Sequence, residues 1–384
     1  MTQAPSDTLS RRHAAIRRQL AARELDALVV TSLPNVFYLT NFTGSAAIVV
    51  LTAADLFFVT DFRYVAALER TRGTASQCPG LELVRVDRSY DEALAFLLAG
   101  MSQGRVGFEA AHLTVARHQW LGSALARGGS GVSLVPTDGL VEQARVRKDP
   151  FEIAMLREAA ARLSAVATRT LQDVRRGRTE RDVAWAIEAR LRDAGFEKPA
   201  FDTIVASGPN AALPHAQPGE RRLIEGDLVV LDFGGVYASY CVDLTRTVSI
   251  GAPAPRARDV YAAVLEAHDQ AIAAVGPGRS RFDIDAAARD TLGRHGLAEA
   301  FGHGTGHGLG IEVHEAPRIT RRATSAGPAG ASDADERVAA GMVFTIEPGA
   351  YIPGWGGVRI EDDVLVTDEG VEVLTDVTTE LLEI

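Results

Sequence analysis

The sequence predicts two domains in tandem, an α/β domain followed by an α+β domain whose strands run antiparallel. Three observations carry this expectation. The chain has 384 residues, more than one hydrophobic core ordinarily serves. Apolar runs of helical and strand period alternate up to about residue 140. Beyond a polar joint, VRKDP (146–150), amphipathic helices give way to strand blocks rich in glycine and acidic residues.

In the first domain, residues 8–24 place Leu9, Ile16 and Leu20 on one side of a helix. Arg11, Arg12, Arg17 and Arg18 are assigned to its wet face. DALVVTS (26–32) has the composition of a buried strand, and AAIVVLT and LFFVTDF, parted by Ala53-Ala54-Asp55, suit adjacent strands. LELVRV (82–87) and RVGFEA (105–110) are further strands, with DEALAFLLAG helical between them.

In the second domain Pro150 and Glu152 open a helix on which Ile153, Leu156, Ala160, Leu163 and Ala167 recur. The next helix starts at a Thr179 cap and stops at Gly195. Two more are expected near 256–275 and 282–297. The Ala/Gly/Ser/Pro-rich patch 321–336 cannot build a core and is expected to be a mobile surface loop.

Composition excludes several function classes. A hydrophobic fraction of 46% and a charged fraction of 23% belong to a globular chain. Two cysteines, Cys78 and Cys241, are too few for a disulfide framework or a thiolate metal cluster and suit a reducing compartment. The first twenty residues lack the apolar core of a leader, and no run is long enough to span a membrane, so a cytoplasmic protein is expected. A net charge of −10 offers nucleic acid no footprint.

GDLVVLDFGGVY (226–237) and GMVFTIEPGAY (341–351) repeat one design: a glycine, an apolar run, then a carboxylate, Asp232 or Glu347. Asp243 follows Asp232 in CVDLTRT, and Glu361 follows Glu347 in GVRIEDD. Turn-forming residues lie between the members of each pair, Gly234-Gly235 and Pro353-Gly354-Trp355-Gly356-Gly357, so each pair can face across a hairpin. A carboxylate inside an apolar strand must be paired, protonated or bound to metal. Converging acids with an imidazole suit a hard or borderline divalent ion such as manganese, and bridging acids allow two ions, the arrangement that activates water for hydrolysis.

FGHGTGHGLGIEVHE (301–315) holds three histidines. It contains neither a GxGxxG nor a GxxxxGK[ST] phosphate loop, and no HExxH. The regular return of apolar residues in LGIEV speaks against a linker, which leaves a metal-site backbone whose glycines admit close approach. His215, in LPHAQP, precedes the Asp232 strand.

Together, PHAQP, LDFGG, VDLTRT, GHGTGHGLGIEVHE, TIEPGAY and GVRIEDD resemble the pita-bread metallopeptidases, prolidase and aminopeptidase P. NVFYLTNFTGS (35–45) is similar to their creatinase-type N-terminal domain, so the resemblance covers essentially the whole chain. It implies an α/β creatinase-like domain over 1–145 and an α+β pita-bread catalytic domain over 146–384. By position it implies two divalent metal ions, manganese first with cobalt or zinc as alternatives, on Asp232, Asp243, His307, Glu347 and Glu361. It further implies that His303 lines the substrate site, that His314 stabilises the tetrahedral intermediate, that His215 contacts the scissile region, and that Glu347 carries the proton. The remaining histidines, His13, His112, His118, His268 and His295, are read as solvent-facing or hydrogen-bonded.

The implied substrate is a small peptide with proline second, and the implied assembly is a homodimer. Arg318, four residues after His314, matches an arginine that meets a dipeptide carboxylate in some prolidases; a surface arginine is the equal alternative. Arg359 is read as supporting the metal shell or the substrate end. Dipeptide hydrolysis is the first expectation, and release of the first residue from longer Xaa-Pro peptides is its rival. Creatinase shares the fold without metal, methionine aminopeptidase shares only the catalytic half, and a binding protein on this fold would have lost ligands.

Overall fold

The computed structural model describes residues 2–101, 103–322 and 337–384. Most of the predicted 321–336 loop therefore lies outside the described residues. The chain divides into two compact units, Met1–Arg145 and Val146–Ile384.

The first unit runs α1 (Ser6–Ala22), β1 (Ala27–Val30), α2 (Leu33–Thr40), β2 (Ile48–Thr52), β3 (Leu56–Thr60), α3 (Phe62–Thr71), β4 (Leu81–Arg85), α4 (Tyr90–Ala99), β5 (Gln103–Glu109), α5 (Val115–Arg127), β6 (Gly131–Thr137) and α6 (Leu140–Val146). Its sheet has the order β4-β3-β2-β1-β5-β6. β2 and β3 form the expected hairpin, its turn closed by Thr52 Oγ1 accepting from Asp55 N at 2.8 Å. The parallel pairs β3/β4 and β5/β6 are each joined through a helix, as parallel strands require. Val29, Ile48, Val50, Val59 and Val106 pack with Leu94 and Leu98 of α4 and Leu121 and Leu125 of α5.

The basic cluster on α1 departs from the expected wet face. Arg12 is buried, donates to the Tyr38 carbonyl at 2.8 Å and lies 4.2 Å over the Tyr38 ring. Arg17 donates to the Thr52 and Ala54 carbonyls. Arg12 stands one turn before Ile16 and so shares its buried stripe, while its long stem carries the charge to main-chain acceptors. Only Arg11 and Arg18 of the cluster are exposed.

The second unit opens with α7 (Pro150–Thr170), started by Asp149 and Glu152 in a reciprocal capping box, and α8 (Glu180–Asp193), capped by Thr179 as expected. There follow β7 (Lys198–Pro199), β8 (Ile204–Ser207), β9 (Leu228–Tyr237), β10 (Tyr240–Ser249), α9 (Pro255–Ala274), α10 (Arg281–Arg294), β11 (Gly306–Gly308), β12 (Glu315–Ile319), β13 (Val343–Ile346), β14 (Gly349–Ile352), β15 (Gly356–Arg359), β16 (Asp362–Val366) and β17 (Val371–Val373). One sheet is built on β9, which pairs with β10, β7 and β8; a second has the order β12-β11-β13-β16-β17. All of these pairings are antiparallel, as expected. Val260, Val264, Ala267 and Ala271 of α9 and Ile284, Ala288 and Leu292 of α10 form the core with Phe344, Ile346, Val358 and Val364.

The β9/β10 turn is not at Gly234-Gly235. It falls at Ala238-Ser239, both with positive φ (48° and 68°), the conformation a two-residue hairpin needs. Gly234 sits inside β9 because a Cβ there would stand 2.3 Å from the Val242 carbonyl oxygen. The second hairpin turns at Pro353-Gly354-Trp355, as expected. Ladders β13/β16 and β14/β15 share one register, bent where Glu347 and Glu361 stand opposite each other.

Candidate metal centre

The acids reach one point because the two sheets meet there. Asp232 lies in β9 opposite Thr245 of β10, and Asp243 lies two residues before Thr245. Thr245 bridges to Glu361: the Glu361 N–H donates to the Thr245 carbonyl at 3.1 Å, and Thr245 Oγ1 donates to Glu361 Oε2 at 2.6 Å. β11, between β12 and β13, then brings His307 over the acids. Ligand atoms of Asp243, His307 and Glu361, all buried, lie within 4.8 Å of one another. His307 Nε2 is 3.9 Å from Asp243 Oδ2 and 3.6 Å from Glu347 Oε1.

The imidazole is aimed by its other nitrogen. His307 Nδ1 donates to the Gly308 carbonyl at 3.1 Å, which leaves Nε2 with its lone pair toward the acids. Burial first, and then the nearby His314, holds its pKa down to about 4, so the ring is neutral at pH 7. The approach of β11 to β13 depends on Gly306, where a Cβ would fall 1.8 Å from the Thr345 carbonyl oxygen. Gly306→Ala is therefore expected to push β11 off β13 and lower metal affinity at least about tenfold, the scale of losing a ligand's support. Calorimetric titration of the metal-free variant checks this; wild-type affinity would remove the role assigned to Gly306.

The carboxylates are strongly biased against sharing the site uncompensated. Burial, then Asp232, Asp363 and Glu347, pushes Asp243 well above the usual carboxylate range. Burial, then Asp243, Glu347 and Asp232, does the same to Glu361. Glu347 is pushed up to about 7, chiefly by burial. Arg359 forms an ion pair with Asp232 Oδ2, while Asp232 Oδ1 and Asp243 Oδ1 are buried with no hydrogen-bond partner. Orphaned oxygens among crowded acids fit a cation, and four carboxylates with one neutral imidazole fit a hard or borderline divalent one.

Over this cluster opens a cavity of about 860 Å³ lined by His215, His303, His314, Arg318 and Arg359 together with Asp232, Asp243, His307, Glu347 and Glu361. All the residues singled out from the sequence thus border one space. The His314 ring centroid is 4.3 Å from that of His307. His314 is held below the ordinary imidazole range by burial and then by Arg318. His303 is lowered to about 4 by burial; its Nδ1 donates to the Gly304 carbonyl at 2.7 Å. Its Nε2 therefore accepts from the Tyr351 hydroxyl at 3.0 Å, and that oxygen accepts from Arg359 Nη1 at 2.7 Å.

Several contributors were missed. Tyr351 closes the TIEPGAY motif but was given no role there. Asp363, in IEDD beside Glu361, accepts the Asp243 N–H at 3.0 Å. Thr245 and Thr345, which hold Glu361 and the His307 N–H, carried no signal beyond a polar residue in a strand. The bland reading of His13 and His268 agrees with their placement: both are buried, His13 donating to the Leu39 carbonyl at 2.7 Å and His268 Nδ1 donating to Asp269 Oδ1 at 3.3 Å.

Antiparallel sheets that draw acids and an imidazole to the floor of a cavity suit a metal centre, and the comparisons place the chain in a family of metal-dependent hydrolases. A model for metallopeptidase family M24 matches residues 154–368, and one for the creatinase/prolidase N-terminal domain matches 12–147. The chain belongs to metallopeptidase family M24, and its fold is the α/β creatinase-type domain followed by the α+β pita-bread domain. It is similar to an Xaa-Pro dipeptidase of Pyrococcus horikoshii, 33% identical over 93% of this chain and 95% of that one. Among solved structures it is similar to an Xaa-Pro dipeptidase from Bacillus anthracis (TM-score 0.88, 36% identity, 98% of this chain and 100% of that one). It is also similar to an X-Pro aminopeptidase from Thermotoga maritima (TM-score 0.84, 31% identity, 96% and 99%). The family implies divalent metal ions. Among the described residues no helix is long and apolar enough to cross a membrane.

Proposed function

We propose that the chain hydrolyses the Xaa–Pro bond of dipeptides with two divalent ions, manganese first, held by Asp232, Asp243, His307, Glu347 and Glu361. The observation that carries this reading is the convergence of buried, under-compensated acids and neutral His307 on the floor of a cavity that Arg318 also lines. Relatives called Xaa-Pro dipeptidases, similar along nearly their whole length, supply the substrate class. A homodimer and a cytoplasmic location belong to the proposal on family resemblance alone.

The bound metal supplies Lewis-acid polarisation of the scissile carbonyl and acidifies water. The chain's own groups do the rest. Glu347, whose Oε1 lies 3.6 Å from His307 Nε2 on the cavity floor, takes a proton from the attacking water and returns it to the departing nitrogen. Proline nitrogen in an amide carries no hydrogen, so this delivery is what frees it as an amine. His314 and His215 donate around the carbonyl, His303 borders the substrate, and Arg359 steadies Asp232. Arg318 forks onto the terminal carboxylate of a dipeptide, a group a longer peptide lacks at that place.

The test compares Ala-Pro with Ala-Pro-Ala, manganese added, in wild type and Arg318→Ala. The variant is expected to lose about ten- to a hundredfold in kcat/KM on the dipeptide, the worth of a hydrogen bond to a charged group, and under about threefold on the tripeptide. Equal losses would remove Arg318 as selector. Preference of the wild type for Ala-Pro-Ala would favour aminopeptidase activity, the reading the Thermotoga maritima relative supports. No cleavage of either would sink the Xaa-Pro reading.

A further inference from the structure

α10 carries a buried ion pair outside the cavity lining. Arg289 meets both oxygens of Asp285, one turn earlier, at 2.8 Å each, and the two side chains are 17% and 2% exposed. A pair this buried is poor evidence of stabilisation for its own sake, since desolvation offsets the attraction. Both members are used again, on one loop. Arg289 Nη2 donates to the His303 carbonyl at 2.7 Å and Nη1 to the Phe301 carbonyl at 3.1 Å, with the guanidinium 4.4 Å over the Phe301 ring. Asp285 Oδ1 accepts from Thr305 N at 3.2 Å and from Thr305 Oγ1 at 2.9 Å.

Alternate residues of the loop, 301, 303 and 305, are thus held from one side by two side chains. The loop passes the constraint on. The Thr305 carbonyl accepts the Glu347 N–H at 2.8 Å, and the Phe301 ring packs edge-on against His303 at 5.0 Å between centroids. His303 on one side and Glu347 on the other are therefore referred to the same helix.

We propose that Asp285 and Arg289 are positioning residues for hydrolysis, fixing His303 and Glu347 relative to each other from behind the cavity wall. This rests on the roles proposed above for those two residues. The fork geometry matters: Arg289 reaches Asp285 and the two carbonyls with three separate nitrogens, whereas a lysine at 289 keeps the charge but concentrates its donors on one atom.

The test is a double-mutant cycle on manganese-loaded full-length protein with Ala-Pro as substrate. R289K is expected to lower kcat between about ten- and a hundredfold, the cost of a small misplacement of a reacting group, with KM within about threefold of wild type. In an H303A background the same change is expected to cost under about threefold, because the group it aims is gone. A merely structural arginine would cost the same in both backgrounds, and that result would overturn the proposal. D285N, close in shape to aspartate, is expected to weaken manganese binding about tenfold through Thr305 and Glu347, read by calorimetric titration without turnover. Wild-type manganese affinity in D285N would overturn the Glu347 half even if R289K failed to fold. If wild type leaves Ala-Pro intact, the functional reading fails separately, and the titration still decides the positioning of Glu347.

Discussion

Asp243→Ala is expected to reduce metal-dependent hydrolysis on the order of a thousandfold or more. Asp243 is 5% exposed, one of its oxygens has no partner, and its other oxygen lies 3.9 Å from His307 Nε2. Its main-chain N–H donates to Asp363 Oδ2 at 3.0 Å, which fixes the backbone from which the carboxylate projects. Removing it takes away a ligand at the point where acids and imidazole meet. Metal ions contribute several kcal/mol of charge stabilisation in such reactions, and about 1.4 kcal/mol is a decade in rate. The isosteric Asp243→Asn should separate chemistry from folding. Metal-free wild type can bury Asp243 only by holding it protonated where the unfolded chain has released the proton, a cost the neutral amide does not carry, so the metal-free variant should unfold at a higher temperature than metal-free wild type at neutral pH while hydrolysis is lost. Metal content, Ala-Pro hydrolysis and thermal unfolding measure the three quantities. A variant that keeps wild-type metal content and rate would sink the ligand assignment.

Removing the metal is expected to destabilise the protein by an amount that grows with pH. An ion that binds the folded chain alone stabilises it by about 4 kcal/mol when present at a thousandfold excess over its Kd. In the metal-free chain Asp243, Glu361, Asp363 and Glu347 all have raised pKa values, Glu347 at about 7. The folded state then keeps protons that the unfolded chain has already released, so these acids make stability fall as pH rises through their folded values. His303 and His307, lowered to about 4, act in the opposite sense only below the ordinary imidazole value near 6.5. Above about pH 6.5 these two histidines no longer contribute, while Glu347 at about 7 and His268, whose pKa is raised, both lose protons the fold had kept, so the metal-free protein should lose stability as pH rises through 7. Bound metal requires the acids deprotonated and so should flatten the slope. Unfolding of chelator-treated and manganese-loaded protein at about pH 6.5, 7.5 and 8.5 reads this, with proton release on binding measured in buffers of different ionisation enthalpy. A metal increment that shrinks with pH would contradict raised carboxylate pKa values in the metal-free site.

Much of the molecule was legible from sequence for a physical reason. Acids inside apolar strands are costly, so Asp232, Asp243, Glu347 and Glu361 stand out wherever a strand pattern is recognised. Helix starts were legible because their signals are local: Pro150 with Glu152, and the Thr179 cap, act within one turn, and the structure adds Asp149 and Asp182 as the other halves of the two capping boxes. Where a residue answers to distant neighbours, local reading failed. Gly234-Gly235 looks like a turn, but Gly234 admits the Val242 backbone and Gly235 the Phe196 ring, and Arg12 looks solvated but closes over Tyr38.

The sequence by itself determined the two-part class, the period of each element and the chemistry of the acid and histidine set. Tertiary structure decided the distances. Glu347 and Glu361 stand directly opposite because one register runs through the bent hairpin, whereas Asp232 and Asp243 are offset because their turn falls at Ala238-Ser239. Thr245 and Glu361, 116 residues apart, share a hydrogen bond that no local pattern encodes. The Asp285–Arg289 pair is an ordinary one-turn spacing until α10 docks and both side chains find the 301–305 loop. Residue type and period are properties of short stretches of chain. Partner identity depends on which surfaces the packed core brings within hydrogen-bond reach.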